Sequence, residues 1–169
     1  MKKNTVLALF AILTAASASA ALADDASDKA AVAKQIGSAK ITLQQGLAAG
    51  EAQGHAISGK FEVDEGKFQL SVYTVKGAAL QEVIVDYTTG KITKAEPLSE
   101  ADDVAAGKKQ VAVMAKATTT LKDAVDKAEK QTPGFRAVSV EPKSKANHPV
   151  AVVTLVKGAQ FKSVSEPLE

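Results

Sequence analysis

Two short strings recur in this chain at one fixed spacing, and that spacing constrains the fold more than any other feature. Ala56-Ile57-Ser58 returns as Ala137-Val138-Ser139, and Val75-Lys76-Gly77-Ala78 returns as Val156-Lys157-Gly158-Ala159, both at an offset of 81. Upstream, Thr42-Leu43 matches Thr120-Leu121 at an offset of 78, which a small insertion between helix and strand explains. A constant offset over separate matches predicts a tandem duplication of one supersecondary unit.

Each unit opens with a helix signal. Thr42-x-x-Gln45 has the capping-box pattern, and Thr120-x-x-Asp123 is a weaker version of it. Leu121, Ala124, Val125 and Ala128 fall on one helical face, and Leu43, Leu47 and Ala48 begin the same stripe. Gly54 and Pro133-Gly134 mark the helix ends. Strands follow. Ile57, Phe61 and Val63 are spaced among polar residues, as are Phe68, Leu70 and Val72, with turns at Glu65-Gly66 and Lys76-Gly77. Val83, Val85 and Tyr87 make a third run. Such alternation predicts antiparallel strands with one buried face. In the second unit, residues 136–141 and 150–156 copy the first two strands, residues 142–149 read as a longer loop, and a short third strand covers 160–164. Two further helices are expected, at 27–36 and from the Ser99-x-x-Asp102 cap to about Lys116, the latter weakened by Gly107.

The N-terminus carries a targeting signal. Lys2 and Lys3 precede an apolar run from Val6 to Leu13, and Ala21-Leu22-Ala23 forms an A-x-A cleavage site, with Ala18-Ser19-Ala20 as its competitor. The pattern predicts a signal peptide over residues 1–23 and an exported, periplasmic protein with no membrane insertion after cleavage, because the apolar run is too short to span a bilayer. Two of the 21 basic residues fall in that segment, so the remainder balances at 19 basic and 19 acidic. A neutral chain argues against nucleic acid as the main partner. Cysteine is absent, which excludes disulfides, thiol chemistry and Cys-based metal sites.

The third strand runs into "VDYTTGKI". An apolar strand, Asp86, two residues, Thr89-Gly90 and an apolar Ile92 resemble the signature of the PepSY domain, and "ITLQQGLAAGEAQ" is similar to that family's helix. The resemblance covers residues 41–98 well, and residues 119–169 through the helix and two strands. It implies a non-enzymatic module that modulates a peptidase or another envelope partner. The residues supply their own reason for the motif: Asp86 accepts N–H bonds across the turn and Gly90 supplies positive φ, so Asp86, Thr89 and Gly90 form a structural turn.

The expected fold class is therefore α+β, built as two repeated units, each a helix packed on a small antiparallel sheet, the second truncated. The domain order is a signal peptide (1–23), a helical segment (24–40), unit one (41–98), a linker helix (99–118) and unit two (119–169). No catalytic residues and no cofactor are expected. His55 at a helix end and His148 in a loop read as turn residues, and no nucleophile elbow, Walker loop or paired-histidine motif occurs. The alternative function is a small-ligand or metal-ion sensor. Glu62, Asp64 and Glu65 in a hairpin turn are its candidate ligands for a hard cation such as calcium or a trivalent ion. Glu100, Asp102 and Asp103 form a second acidic group, read as a helix start favoured by the dipole. Glu82 and Asp86 share a strand face but are about 13 Å apart at strand rise, too far to chelate one ion. Residues 150–156 are apolar on both faces, which predicts a strand covered from both sides.

Overall fold

A computed structural model describes residues 27–169; the expected signal peptide lies outside the described residues. Helix α1 spans 27–35 and passes into a 3-10 turn, Ile36–Ser38. Then come α2 (Leu43–Gly50), β1 (His55–Asp64), β2 (Lys67–Lys76), β3 (Ala79–Val85) and β4 (Ile92–Pro97). The chain continues through α3 (Ala101–Met114), α4 (Leu121–Gln131), β5 (Arg136–Lys145), β6 (His148–Lys157) and β7 (Gln160–Pro167).

The strands make one antiparallel sheet of seven, in the order β4-β3-β2-β1-β5-β6-β7. The expectation of two repeated helix-on-sheet units is thereby corrected. Their sheets do not stand apart, because β1 and β5 pair along the edges that each hairpin set would otherwise leave open. The seam is narrow: Gly59 faces Val140 and Lys60 faces Ser139. Strand starts still keep the 81-residue spacing, at 55 and 136, 67 and 148, and 79 and 160. Both β1 and β5 slip register at the same point of the repeat, between Ala56 and Ser58 and between Ala137 and Ser139.

Helices α2 and α4 lie side by side on one face of this sheet. The Thr42–Gln45 capping box forms, with Gln45 N donating to Thr42 Oγ1 at 3.2 Å and Thr42 N to Gln45 Oε1 at 2.8 Å. Thr120 caps α4 by accepting from Asp123 N at 3.1 Å. Leu43, Leu47, Leu121, Ala124, Val125 and Ala128 are buried against Leu70, Val72, Val140, Val153 and Leu155. Gln44 Nε2 ties the helices together by donating to Asp126 at 2.9 Å and Glu129 at 2.8 Å. Arg136 anchors the preceding segment: its fork donates to the carbonyls of Ile36 (3.1 Å), Ala39 (3.0 Å) and Ile41 (2.5 Å), above the Phe61 ring.

Three smaller expectations change. Residues 142–149 are not a long loop; β5 and β6 join through a tight turn at Ala146 and Asn147, whose φ values are +49° and +68°. Pro142 and Pro149 are tolerated because they lie past the short β1–β5 seam and the end of β7 respectively, where no ladder N–H is needed. Residues after Gly90 form a fourth, edge strand, and β7 extends to Pro167. Finally, α3 starts at Ala101 without a side-chain cap, so Asp102 and Asp103 serve it through the dipole alone.

Candidate functional site

The second face of the sheet is polar at its centre. Alternation along β1 and β2 that buries Phe61, Leu70 and Val72 under α2 sends Ser58, Lys60, Glu62, Gln69, Ser71 and Tyr73 to the opposite side. Helix α3 crosses that side, touching β1, β5 and Leu80. Between α3 and the strands is a cleft of about 310 Å³, with Tyr73, Ser58, Lys60 and Ser139 along the sheet and Asp103 and Gln110 on the helix.

Hydrogen bonds fix these groups. Ser58 Oγ donates to Gln110 Oε1 at 2.8 Å, holding α3 to the sheet. Tyr73 OH donates to Glu82 Oε1 at 3.2 Å. Lys60 Nζ lies 2.5 Å from Glu62 Oε2 and 5.7 Å from the Tyr73 ring centroid. Glu62 Oε1 accepts from Ser71 Oγ and, at 3.4 Å, from Gln69 Nε2. Burial, then the charges of Glu62 and Glu82, push the Tyr73 phenol well above its ordinary range, so it remains a protonated donor at any physiological pH. The arrangement offers an aromatic face, carboxylates and an amide around a small opening, which is recognition chemistry. Neither histidine lines it; His148 Nδ1 lies 2.9 Å from the Glu169 carboxylate at the opposite end of the sheet.

The three acids expected to hold a cation are not brought together. Glu62 is held by Lys60, Ser71 and Gln69, whereas Asp64 and Glu65 are exposed at the hairpin, Glu65 with φ +46°. Among the described residues no group of three or more His, Asp or Glu side chains is placed to hold an ion. Glu82 faces the cleft through Tyr73, while Asp86 lies in the turn beyond β3. Asp86 Oδ1 accepts from Thr88 N at 3.0 Å, Thr89 N at 2.6 Å and Thr89 Oγ1 at 2.9 Å, which holds its carboxyl below the usual range. Gly90, at φ +76°, donates its N–H to Asp86 O at 2.8 Å. The turn is docked rather than free: Lys40 N and Ile41 N both donate to Tyr87 O, and Tyr87 packs on Phe68.

Lys60, Ser58, Tyr73 and Gln110 were not singled out by the sequence as site residues. Tyr73 is an aromatic on the polar face of β2, beside Gln69 and Ser71, and that was the available signal. Gln110 gave none, because which strands α3 crosses depends on the β1–β5 seam.

No helix among the described residues is long and apolar enough to cross a membrane. No family model matches the chain, and no curated protein does. Among solved structures the chain is similar to a candidate lipoprotein from Clostridium difficile 630, at a TM-score of 0.40 and 18% identity over 68% of this chain and 75% of that one, a likeness too loose to carry fold or function across.

Proposed function

We propose that this chain is an exported, non-enzymatic binding protein of the PepSY-like kind, which engages a protein partner in the periplasm and modulates it, a peptidase or another envelope protein. The cleft between α3 and the sheet carries this reading: a half-buried aromatic ring, fixed polar groups and an opening of about 310 Å³ on a face that α3 covers in part. The basic, apolar and A-x-A segments of residues 1–23 support export, and the Asp86-x-x-Thr89-Gly90 turn supports the family likeness. In this reading the turn shapes the scaffold, and the cleft meets the partner.

Site-specific photo-cross-linking tests it. A photoreactive amino acid at Ser139, on the cleft, is compared in living cells with one at Lys122, exposed on α4 across the sheet. The expected result is an adduct to a periplasmic protein from position 139 alone. Adducts only from position 122, or a protein confined to the cytosol, would refute the reading.

A further inference from the structure

Resting on that reading of the cleft, we propose that its occupant is a lysine or arginine side chain presented by an extended segment of the partner protein. Charge is the first argument. Glu62, Glu82 and Asp103 lie close enough to Tyr73 to act on its hydroxyl, and Lys60 is the ammonium that faces them. The imbalance extends outward. Residues 41–106, which build β1–β4 and the start of α3, carry ten acidic and five basic side chains, whereas residues 107–169 carry six acidic and eleven basic. The cleft lies at the border of these two portions, and around Tyr73 itself the carboxylates of Glu62, Glu82 and Asp103 outnumber the Lys60 ammonium, so the local field favours a cation.

Lys60 shows how such a cation would be held. Its ammonium is over the Tyr73 ring and against the Glu62 carboxylate, pairing a π face with a charge-assisted contact. The Lys60 side chain is 44% exposed, so an incoming cation can displace it into water at little cost. Leu98 and Ala106 offer an apolar wall for the aliphatic stem.

The shape of the opening favours a peptide over a free amine. The cleft shares Ala106, Gln110 and Glu141 with a second groove of about 640 Å³ that continues along α3 over β5 to Ser144, where Asp102 and Glu141 are balanced by Lys109 and Lys143, so the charge selectivity belongs to the first part and the second receives backbone. A small amine fills only the first part, whereas an extended segment can place its side chain in the first and its backbone along the second.

Titration of the isotope-labelled chain, followed by NMR, tests this with three probes: the capped peptide Ala-Lys-Ala-Lys-Ala, its Ala-Glu-Ala-Glu-Ala counterpart, and spermidine. The lysine peptide is expected to shift the Tyr73, Gln110 and Ser139 amides saturably, and the glutamate peptide is expected not to. Glu62→Gln with Asp103→Asn should weaken the lysine peptide about tenfold or more, the size of lost charged contacts. Lys60→Met, which removes the internal competitor, should strengthen it. Equal shifts from both peptides would overturn the charge selectivity while leaving the cleft as a docking place. Spermidine saturating the same amides as tightly as the lysine peptide would overturn the extended segment. Absence of cleft shifts with every probe overturns the basic occupant; should position 139 also cross-link to nothing, the binding reading itself falls.

Discussion

Replacing Gly46 by alanine tests how closely α2 approaches the sheet. In an exposed helix interior that change stabilises, by about 1 kcal/mol, because alanine is the better helix former. At Gly46 the added methyl would lie 2.2 Å from Leu70 Cδ2 and 3.0 Å from its Cγ. Carbon atoms pack at about 3.5–4.0 Å, so something must yield by about 1.5 Å. Leu70 is fully buried and has no solvent to rotate into. If α2 retreats instead, Leu43 and Leu47, at 0% and 3% exposure, lose contacts with it. Overpacking costs about 1–3 kcal/mol, and an overlap this deep against a fully buried side chain belongs to the upper half, about 2–3 kcal/mol, so the propensity gain of about 1 kcal/mol is outweighed and the net loss is about 1–2 kcal/mol. For a domain of this size that lowers Tm by about 3–8 °C. Gly37→Ala is the control: nothing lies within 4 Å of the added methyl, and Tm should hold or rise slightly. Thermal unfolding by circular dichroism reads both variants. A Gly46→Ala protein melting at or above wild type would refute the close-packing argument.

Gly90→Val should lose about 1–3 kcal/mol in denaturant titration, since a β-branched residue is strained at φ +76°, and an unchanged midpoint would remove the turn account. The Asp86 carboxyl is held below its ordinary value by N–H and O–H donors from Thr89 and Thr88, so its contribution is present above the unfolded-state pKa and lost as pH falls through the lower folded-state pKa. Asp86→Ala should therefore be less stable than wild type at neutral pH, with the gap closing only in acid, as unfolding midpoints across pH would record. Arg136→Met leaves the carbonyls of Ile36, Ala39 and Ile41 without their donors and should cost about 2–3 kcal/mol, while hydrogen exchange in the 27–41 segment rises first.

What the sequence made legible is local. Capping at Thr42 and Thr120, the stripe on α4, the hairpin turns at Gly66 and Gly77, and the Asp86 turn all follow from residues within one helical turn or one hairpin of each other. Illegible were the contacts that join distant parts. The β1–β5 seam rests on pairing at Gly59 and Lys60, which side-chain pattern does not announce, since any two open edges satisfy the same backbone groups. Reading the repeat as two sheets followed from that blind spot. The same seam decides where α3 lies and hence that Gln110 meets Ser58, so the cleft was hidden for the same reason. One signal was present and unused. Gly46 and Gly50, four apart on α2, mark the face that packs on Leu70 and Val72. Residues 142–149 misled because two prolines read as loop, although both fall where β5 and β6 lack a second partner.

Strand β6 gives the sharpest discrimination between faces. Its run from Val150 to Val156 is apolar at nearly every position, which by pattern alone calls for cover on both sides. The structure covers one side fully. Ala151, Val153 and Leu155 are 0% exposed on the α4 face, whereas at the alternate positions Val150 and Val152 are half-buried and stand outside the main core, and Val156 at the strand's end is buried at 3%. Val150 and Val152 favour the strand without being sealed in it. Val153→Asp places an unpaired carboxylate where no polar partner exists. That costs several kcal/mol, against a total stability of about 5–15 kcal/mol for a domain of ordinary size, so this variant should be unfolded or nearly so at room temperature. Leu155→Asp should behave the same way. Val152→Asp, one residue along, keeps its carboxylate in reach of water and should fold, with a loss of about 1 kcal/mol for the weaker strand preference. Near-native far-ultraviolet circular dichroism and a cooperative melt are expected for Val152→Asp and their loss for Val153→Asp. Equal tolerance of the two would mean that α4 does not pack on this strand, and equal unfolding would mean that the outer face is sealed as well.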